Sequence, residues 1–219
     1  MKEKPILFST PMVQSILIDE KTQTRRTINH FGNSFHYEML LCDWGLSGIP
    51  FLVENNIWEW TLQTEVDDNV TFKFKCPYGQ MGDILWVRET FRIINHSGTA
   101  SKYFYKADAC ETDLNDKKIK WKPSIFMPKE ACRIKLKIID IRVERIQDIS
   151  EKDSKSEGVL LHERGKHWLN YIDQSYKMTQ FIYNLYSAKE SYKSLWTLIN
   201  GRDSWNNNPW VWVIEFKRI

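Results

Sequence analysis

The sequence predicts a mixed α+β domain, a barrel-like sheet with flanking helices and inserted segments. Three observations lead there. Stretches with strand alternation outnumber helical ones, the helical stretches lie towards the two ends of the strand-rich region, and no strand-helix unit repeats, which argues against a doubly wound parallel sheet. The chain has 219 residues, enough to bury a sizeable core. A single domain is expected over 1–219, with insertions at 30–75, 92–119 and 160–180.

Ile6, Leu7 and Phe8 read as the first strand. Thr10 is the expected N-cap of the following helix, with Pro11 at its first position and Met12, Val13, Ile16 and Leu17 at helical spacing. Directly after it comes Asp19-Glu20-Lys21-Thr22-Gln23-Thr24-Arg25-Arg26. An amine, a hydroxyl and two guanidinium groups packed into one segment have the composition of a site for a polar or anionic ligand.

Between His30 and Lys75 the periodicity is weak. Trp44-Gly45 and Gly48-Ile49-Pro50 read as turns, and Trp58–Leu62 with Val70–Phe74 as a hairpin. Cys76 to Asp83 is dense in turn formers and feeds Ile84 to Phe91, a core strand. Residues 92 to 120 are polar and irregular, with Tyr103-Phe104-Tyr105 as a short strand. Arg133 to Arg145 is a long strand whose phase change near Ile139-Asp140 predicts a bulge. Ser150 and Asp153 form a capping-box-like pair opening a helix that Gly158 closes, with Glu157 in its last turn. Phe181 to Asn200 reads as a helix stopped by Gly201, and Trp210 to Phe216, apolar on both faces at first, as a covered central strand.

Composition narrows the function. Hydrophobic residues make up 42% and aromatics 14%, with ten Trp, too apolar for disorder, while charges interrupt every stretch too often for a bilayer span. The N-terminus is unlike a signal peptide, so a cytoplasmic location is expected. Cys42, Cys76, Cys110 and Cys132 are scattered, which indicates neither zinc nor a disulfide framework; no metal and no cofactor are expected. A net charge of +3 does not by itself announce a nucleic-acid partner. The cluster Lys117, Lys118, Lys120 and Lys122, diluted by Asp113 and Asp116, reads as a solvated loop in preference to a phosphate track.

The stretch from Asp19 to Arg26 resembles the Gly-x-Lys-x-x-Glu-x-Arg hallmark of the ASCH domains of the PUA-like superfamily, and the chain looks most like those of phages and prophages. Lys21 and Arg26 are kept; Asp19 replaces the glycine and Thr24 the glutamate. Gly82-Asp83 before Leu85-Trp86-Val87, Asp148-Ile149-Ser150 opening a helix, and the closing Val213 to Lys217 are further likenesses. A branch of small bacterial ASCH proteins also has Lys-Thr-x-Thr-x-Arg and hydrolyses N4-acetylcytidine. The resemblance implies a PUA-like barrel in a phage or prophage protein of a bacterial cytoplasm, with Lys21, Thr24 and Glu157 as the catalytic set.

Cleaving an exocyclic amide takes a nucleophile, a base, a stabiliser for the oxyanion and an acid for the leaving amine. Thr24 supplies a hydroxyl. Lys21 can act as its base if the chain turns between them and if burial or nearby cations lower its pKa, a task for Arg25 and Arg26. Glu157 would shuttle the proton. Under the alternative reading Lys21 and Glu157 form a plain ion pair, Thr24 is a strand residue and Arg26 buttresses a backbone carbonyl. Glu89 is a rival carboxylate, lining a cleft or paired with a nearby Arg. Trp205, in a polar loop, is the candidate for stacking a base, ahead of Trp210 and Trp212. The expected ligand is a modified nucleoside or a single-stranded nucleic acid, with no membrane contact. Three functions are in view: an N4-acylcytosine amidohydrolase, a non-catalytic RNA or modified-DNA binding module or a nuclease, and a phage protein that docks another protein through its insertions.

Overall fold

The computed structural model describes residues 1–28, 51–54, 56–62, 70–94, 102–110, 113–114, 118–162, 165–172 and 183–219. The turns expected at Trp44-Gly45 and Gly48-Ile49-Pro50, much of each expected insertion, and Asp116 and Lys117 lie outside these. In chain order the elements are β1 (Glu3–Leu7), α1 (Thr10–Leu17), β2 (Gln23–Thr27), β3 (Phe51–Glu54), β4 (Ile57–Leu62), β5 (Val70–Lys75), β6 (Ile84–Arg88), β7 (Phe91–Ile94) and β8 (Lys102–Tyr105). They continue with β9 (Lys135–Arg145), α2 (Glu151–Ser156), β10 (Trp168–Leu169), β11 (Tyr183–Leu185), α3 (Ala188–Asn200) and β12 (Trp210–Arg218). The protein is α+β, with more strand than helix.

Five strands form the main sheet in the order β1-β6-β9-β12-β2. β1 and β6 run parallel, and every other pair is antiparallel. The sheet is open: β1 and β2 are its edges and share no ladder. One side chain spans the gap, since Arg26 Nη2 on β2 donates to the Leu7 carbonyl on β1 at 2.6 Å.

The centre of the sheet is β12, and its apolar run has a direct explanation. Trp212, Ile214 and Phe216 face one core with Leu85, Leu136 and Ile138, while Val211 and Val213 face a second with Ile146, Tyr192 and Trp196. A strand covered on both sides has no polar face to alternate. The bulge predicted on β9 is present, because Glu215 pairs with Asp140 and the next residue, Phe216, with Ile138, so Ile139 is skipped.

The predicted hairpin is present as β4 and β5, and β3 adds a third strand to it. This meander is more than a decoration. Trp58 and Phe74 pack on Trp212 with ring centroids 5.2 and 5.5 Å apart, so part of the expected insertion completes the first core.

Two helix boundaries differ from expectation. The N-cap of α1 is Ser9, not Thr10, and its hydroxyl makes no capping bond. The last helix begins at Ala188 instead of Phe181, because the Ser187 hydroxyl accepts from the Glu190 amide and fixes the start there. Tyr183–Leu185, ahead of it, pairs with β10 as a strand.

α2 starts as predicted, with the Ser150 hydroxyl accepting from the Asp153 amide at 3.0 Å. Its Glu151 carboxylate accepts from the Ala188 and Lys189 amides at 2.9 and 3.2 Å, which sets α3 on α2. Ser150→Ala is expected to cost about 1 kcal/mol in urea unfolding, the usual worth of an N-cap. An unchanged midpoint would show that tertiary contacts alone hold the short helix. Among the described residues no helix is long and apolar enough to cross a membrane.

Candidate functional site

The site is built where the ends of α1 and α2 meet. After α1 the chain reverses through Asp19, which has a positive φ of 60°, and the amides of Glu20 and Lys21 both donate to the Ser15 carbonyl at 2.9 and 3.0 Å. Lys21 and Glu157 then form an antiparallel bridge, and the Thr22 amide donates to the Ser156 carbonyl at 2.9 Å. Gly158, at φ 77°, allows this approach: a Cβ there would lie 2.9 Å from the Cβ atoms of both Lys21 and Ser15. Only glycine combines that φ with so close a contact.

Lys21 is wholly buried. Its Nζ donates to the Glu157 carbonyl and to Glu157 Oε2, each at 2.8 Å, and sits 5.9 Å from the centre of the Phe8 ring. Burial pushes the Lys21 pKa below its ordinary value, helped by Arg26 and Arg25 and opposed by Glu157. The chain reverses at Asp19, before Lys21, and not between Lys21 and Thr24, where it runs from the bridge into β2; the amine meets Glu157 and not the Thr24 hydroxyl it was expected to activate.

The second carboxylate oxygen, Glu157 Oε1, accepts from Arg25 Nη1 at 3.2 Å. Arg25, whose side chain has no exposed surface, also donates from Nη2 to Glu144 at 3.0 Å and to Asp153 at 3.5 Å. Arg142 extends the network to Glu144, Asp153 and Glu215, and Gln23 links Asp153 to Glu215. The arrangement holds Glu157 between two cations.

Next to it lies a cavity of about 230 Å³. Its polar wall is Thr24, Arg25, Arg26, Thr27, Glu157 and Asn200; its apolar and aromatic wall is Met12, Tyr78, Tyr192, Leu195, Trp196 and Ile199. This is smaller than the roughly 300–1,000 Å³ pockets of drug-sized ligands, a size for one ring system. Burial, with Glu157 nearby, drives the Tyr192 pKa well above its ordinary value, so the wall presents a neutral phenol.

The predicted residues are distributed as follows. Thr24, Arg25, Arg26 and Glu157 line the cavity. Lys21 is joined to Glu157 but is not on that wall, so it faces the cavity through the carboxylate. Arg26 holds the Leu7 carbonyl and lies 5.3 Å from the Phe8 ring centre, the buttress of the alternative reading.

Glu89, read as either lining a cleft or pairing with a nearby Arg, takes the second role away from the cavity: Arg133 clamps both its oxygens at 2.8 and 2.9 Å and itself lies over the Tyr105 ring. One further expectation is corrected. Trp205, expected to stack a base from a polar loop, is only 7% exposed and packs in the second core. Its neighbours form turns, and the indole anchors them. What sequence reading missed is the opposite wall: Tyr192, Leu195, Trp196 and Ile199 were legible as the apolar stripe of a helix, but a stripe that covers a core and one that covers a cavity read alike.

Among the described residues no group of three or more His, Cys, Asp or Glu is placed to hold a metal. The chain matches no known family profile, no curated protein and no solved structure.

Proposed function

We propose that this is a PUA-like ASCH domain whose cavity holds a nucleobase and hydrolyses the amide of an N4-acylated cytosine such as N4-acetylcytidine. One observation carries the reading: two segments more than a hundred residues apart place Thr24, Arg26 and Glu157 on one cavity of single-base size, with a buried amine behind the carboxylate. The motif likeness from Lys21 to Arg26 and the Arg26 link across the sheet edges support the barrel assignment. The same reading makes it a phage or prophage protein of a bacterial cytoplasm.

In this mechanism the Thr24 hydroxyl attacks the acyl carbon while Glu157 takes its proton. The Arg26 cation stabilises the oxyanion. Glu157 passes the proton to the departing amine, and water then frees the acyl group from Thr24. Lys21 is a positioning residue that holds Glu157 in place.

Incubated with N4-acetylcytidine, the purified protein is expected to release acetate and cytidine in equal amounts. Thr24→Ala and Glu157→Gln, checked for folding, should each lose at least about a hundredfold in rate. A wild-type protein inactive on several acylcytosines contradicts the hydrolase.

A non-catalytic binding module is the second reading, and the saturation of the charges favours it. Lys21 has two acceptors on Glu157, and Arg25 has three carboxylates, which a purely structural network also provides. Here the wild type binds cytidine or a single-stranded nucleic acid without turnover, and Thr24→Ala binds equally well.

A further inference from the structure

We infer that a second surface of this protein, the outer face of the β7–β8 hairpin together with Trp121, binds single-stranded nucleic acid. The strand pattern builds that face. Phe91 and Ile93 on β7 and Tyr103 and Tyr105 on β8 pack with Met127 and Ala131 in a third core. Alternation then turns Arg92, Lys102 and Phe104 to the opposite side, where Arg92 and Phe104 are direct cross-strand partners. A third segment joins the hairpin, because Phe91 and Lys122 exchange both backbone hydrogen bonds, at 3.1 and 2.7 Å. In that antiparallel register Trp121 falls beside Arg92.

The result is a row of rings and cations. The Arg92 guanidinium carbon lies 5.0 Å from the centre of the Phe104 ring and 5.5 Å from that of Trp121, and Lys102 Nζ lies 5.3 Å from Phe104. Lys102, Lys120 and Lys122 are exposed, while Arg92, Phe104 and Trp121 are half-buried. Among the described residues one carboxylate, Asp113, pairs with this row, 3.8 Å from Arg92 Nη2, which leaves the lysines as its excess positive charge. The lysine run by itself reads as a solvated loop; Arg92, Lys102 and Phe104 come from elsewhere in the chain and give it a platform.

Charge and rings together select the occupant. Lysine is depleted from the cores of protein–protein interfaces, whereas a single strand offers bare bases to the rings and phosphates to the cations. In a duplex the bases stack on one another and are closed to the rings, so a duplex gains only the charge. The face shares no residue with the cavity wall, so this site stands whether or not the cavity takes a base.

Fluorescence anisotropy of the full chain with labelled oligouridylate or oligothymidylate of about twelve nucleotides, and with a duplex of the same length, tests this. The single strands are expected to bind and the duplex to bind more weakly. Their log affinity should fall against log salt with a slope of about −2, the value for three cations on a single strand. Trp121→Ala should weaken binding at least about tenfold, the scale of one stacked base, and Trp121→Phe should restore most of it, because the strand needs a ring there. Replacing Lys102, Lys120 and Lys122 together by Gln should flatten the salt slope. Excess cytidine should leave the strand bound. Displacement by cytidine would put the strand in the cavity and overturn the inference while the cavity reading stands. A duplex bound as tightly as the single strands, or a Trp121→Ala protein that binds like the wild type, would also overturn it. If neither strand binds at low salt, the site does not exist.

Discussion

Glu157→Ala is expected to destabilise the protein by about 3–5 kcal/mol, because it leaves the Lys21 ammonium buried with a single backbone carbonyl for company. Arg25 loses less, since Glu144 and Asp153 remain. The variants are therefore asymmetric: Lys21→Met leaves Glu157 with Arg25 as partner and should cost less than Glu157→Ala. Combining Lys21→Met with Glu157→Gln should recover a large part of the Glu157→Ala loss, as replacing a whole buried pair by neutral groups often does. Urea unfolding of the four proteins measures this. Equal costs for the two single variants would mean that the ammonium has water or another acceptor.

The pH dependence of that loss has a definite sign. Burial holds the folded Lys21 pKa below 10.5. Between the depressed value and the unfolded one, the unfolded chain binds more protons, so stability rises with pH through that window. Removing Glu157 removes the groups' chief upward influence and widens the window. The deficit of Glu157→Ala should be largest near neutral pH and should shrink towards pH 10. A deficit independent of pH would contradict the buried charge.

Gly158→Ala should be comparably severe, at about 2–5 kcal/mol, from a positive φ that alanine resists and from overpacking. The atoms in the way are the Cβ atoms of Lys21 and Ser15, at 2.9 Å, and these stems cannot swing aside. Since the same residue lets the ends of α1 and α2 touch, the variant should also weaken ligand binding by displacing Glu157. Thermal unfolding and cytidine titration on one sample test both effects. Wild-type stability would show that the chain has a less costly path past Lys21.

These residues also show what a sequence can reveal. Lys21, Thr24, Arg25 and Arg26 were legible as a site because four hydrogen-bonding groups follow a buried helix so closely, and Glu157 because Ser150, Asp153 and Gly158 bracket its helix. Their meeting was implied only by the family resemblance and was not legible in the residues themselves. It depends on β2 pairing with β12 at the far edge of the sheet, a contact between residues nearly two hundred positions apart. Trp205 was misplaced, and Glu89 left open between a cleft and an arginine partner, for one reason: a lone indole among Asn and Asp and a lone acid on an apolar strand face look the same whether they face a cleft or a buried partner. Arg133 and the second core supplied those partners. The start of α3 was missed because Phe181 to Ser187 is apolar enough to extend a helical stripe, while one hydroxyl at Ser187 ends the ambiguity.

The most direct measurement is a crystal structure of the Thr24→Ala protein with N4-acetylcytidine bound. The expected complex has the base in the cavity between β2 and α3, its acyl carbonyl within hydrogen-bond reach of Arg26, and its N4 facing Glu157. A ligand seated outside the cavity, or one bound in it with its N4 turned away from Glu157, would contradict the account.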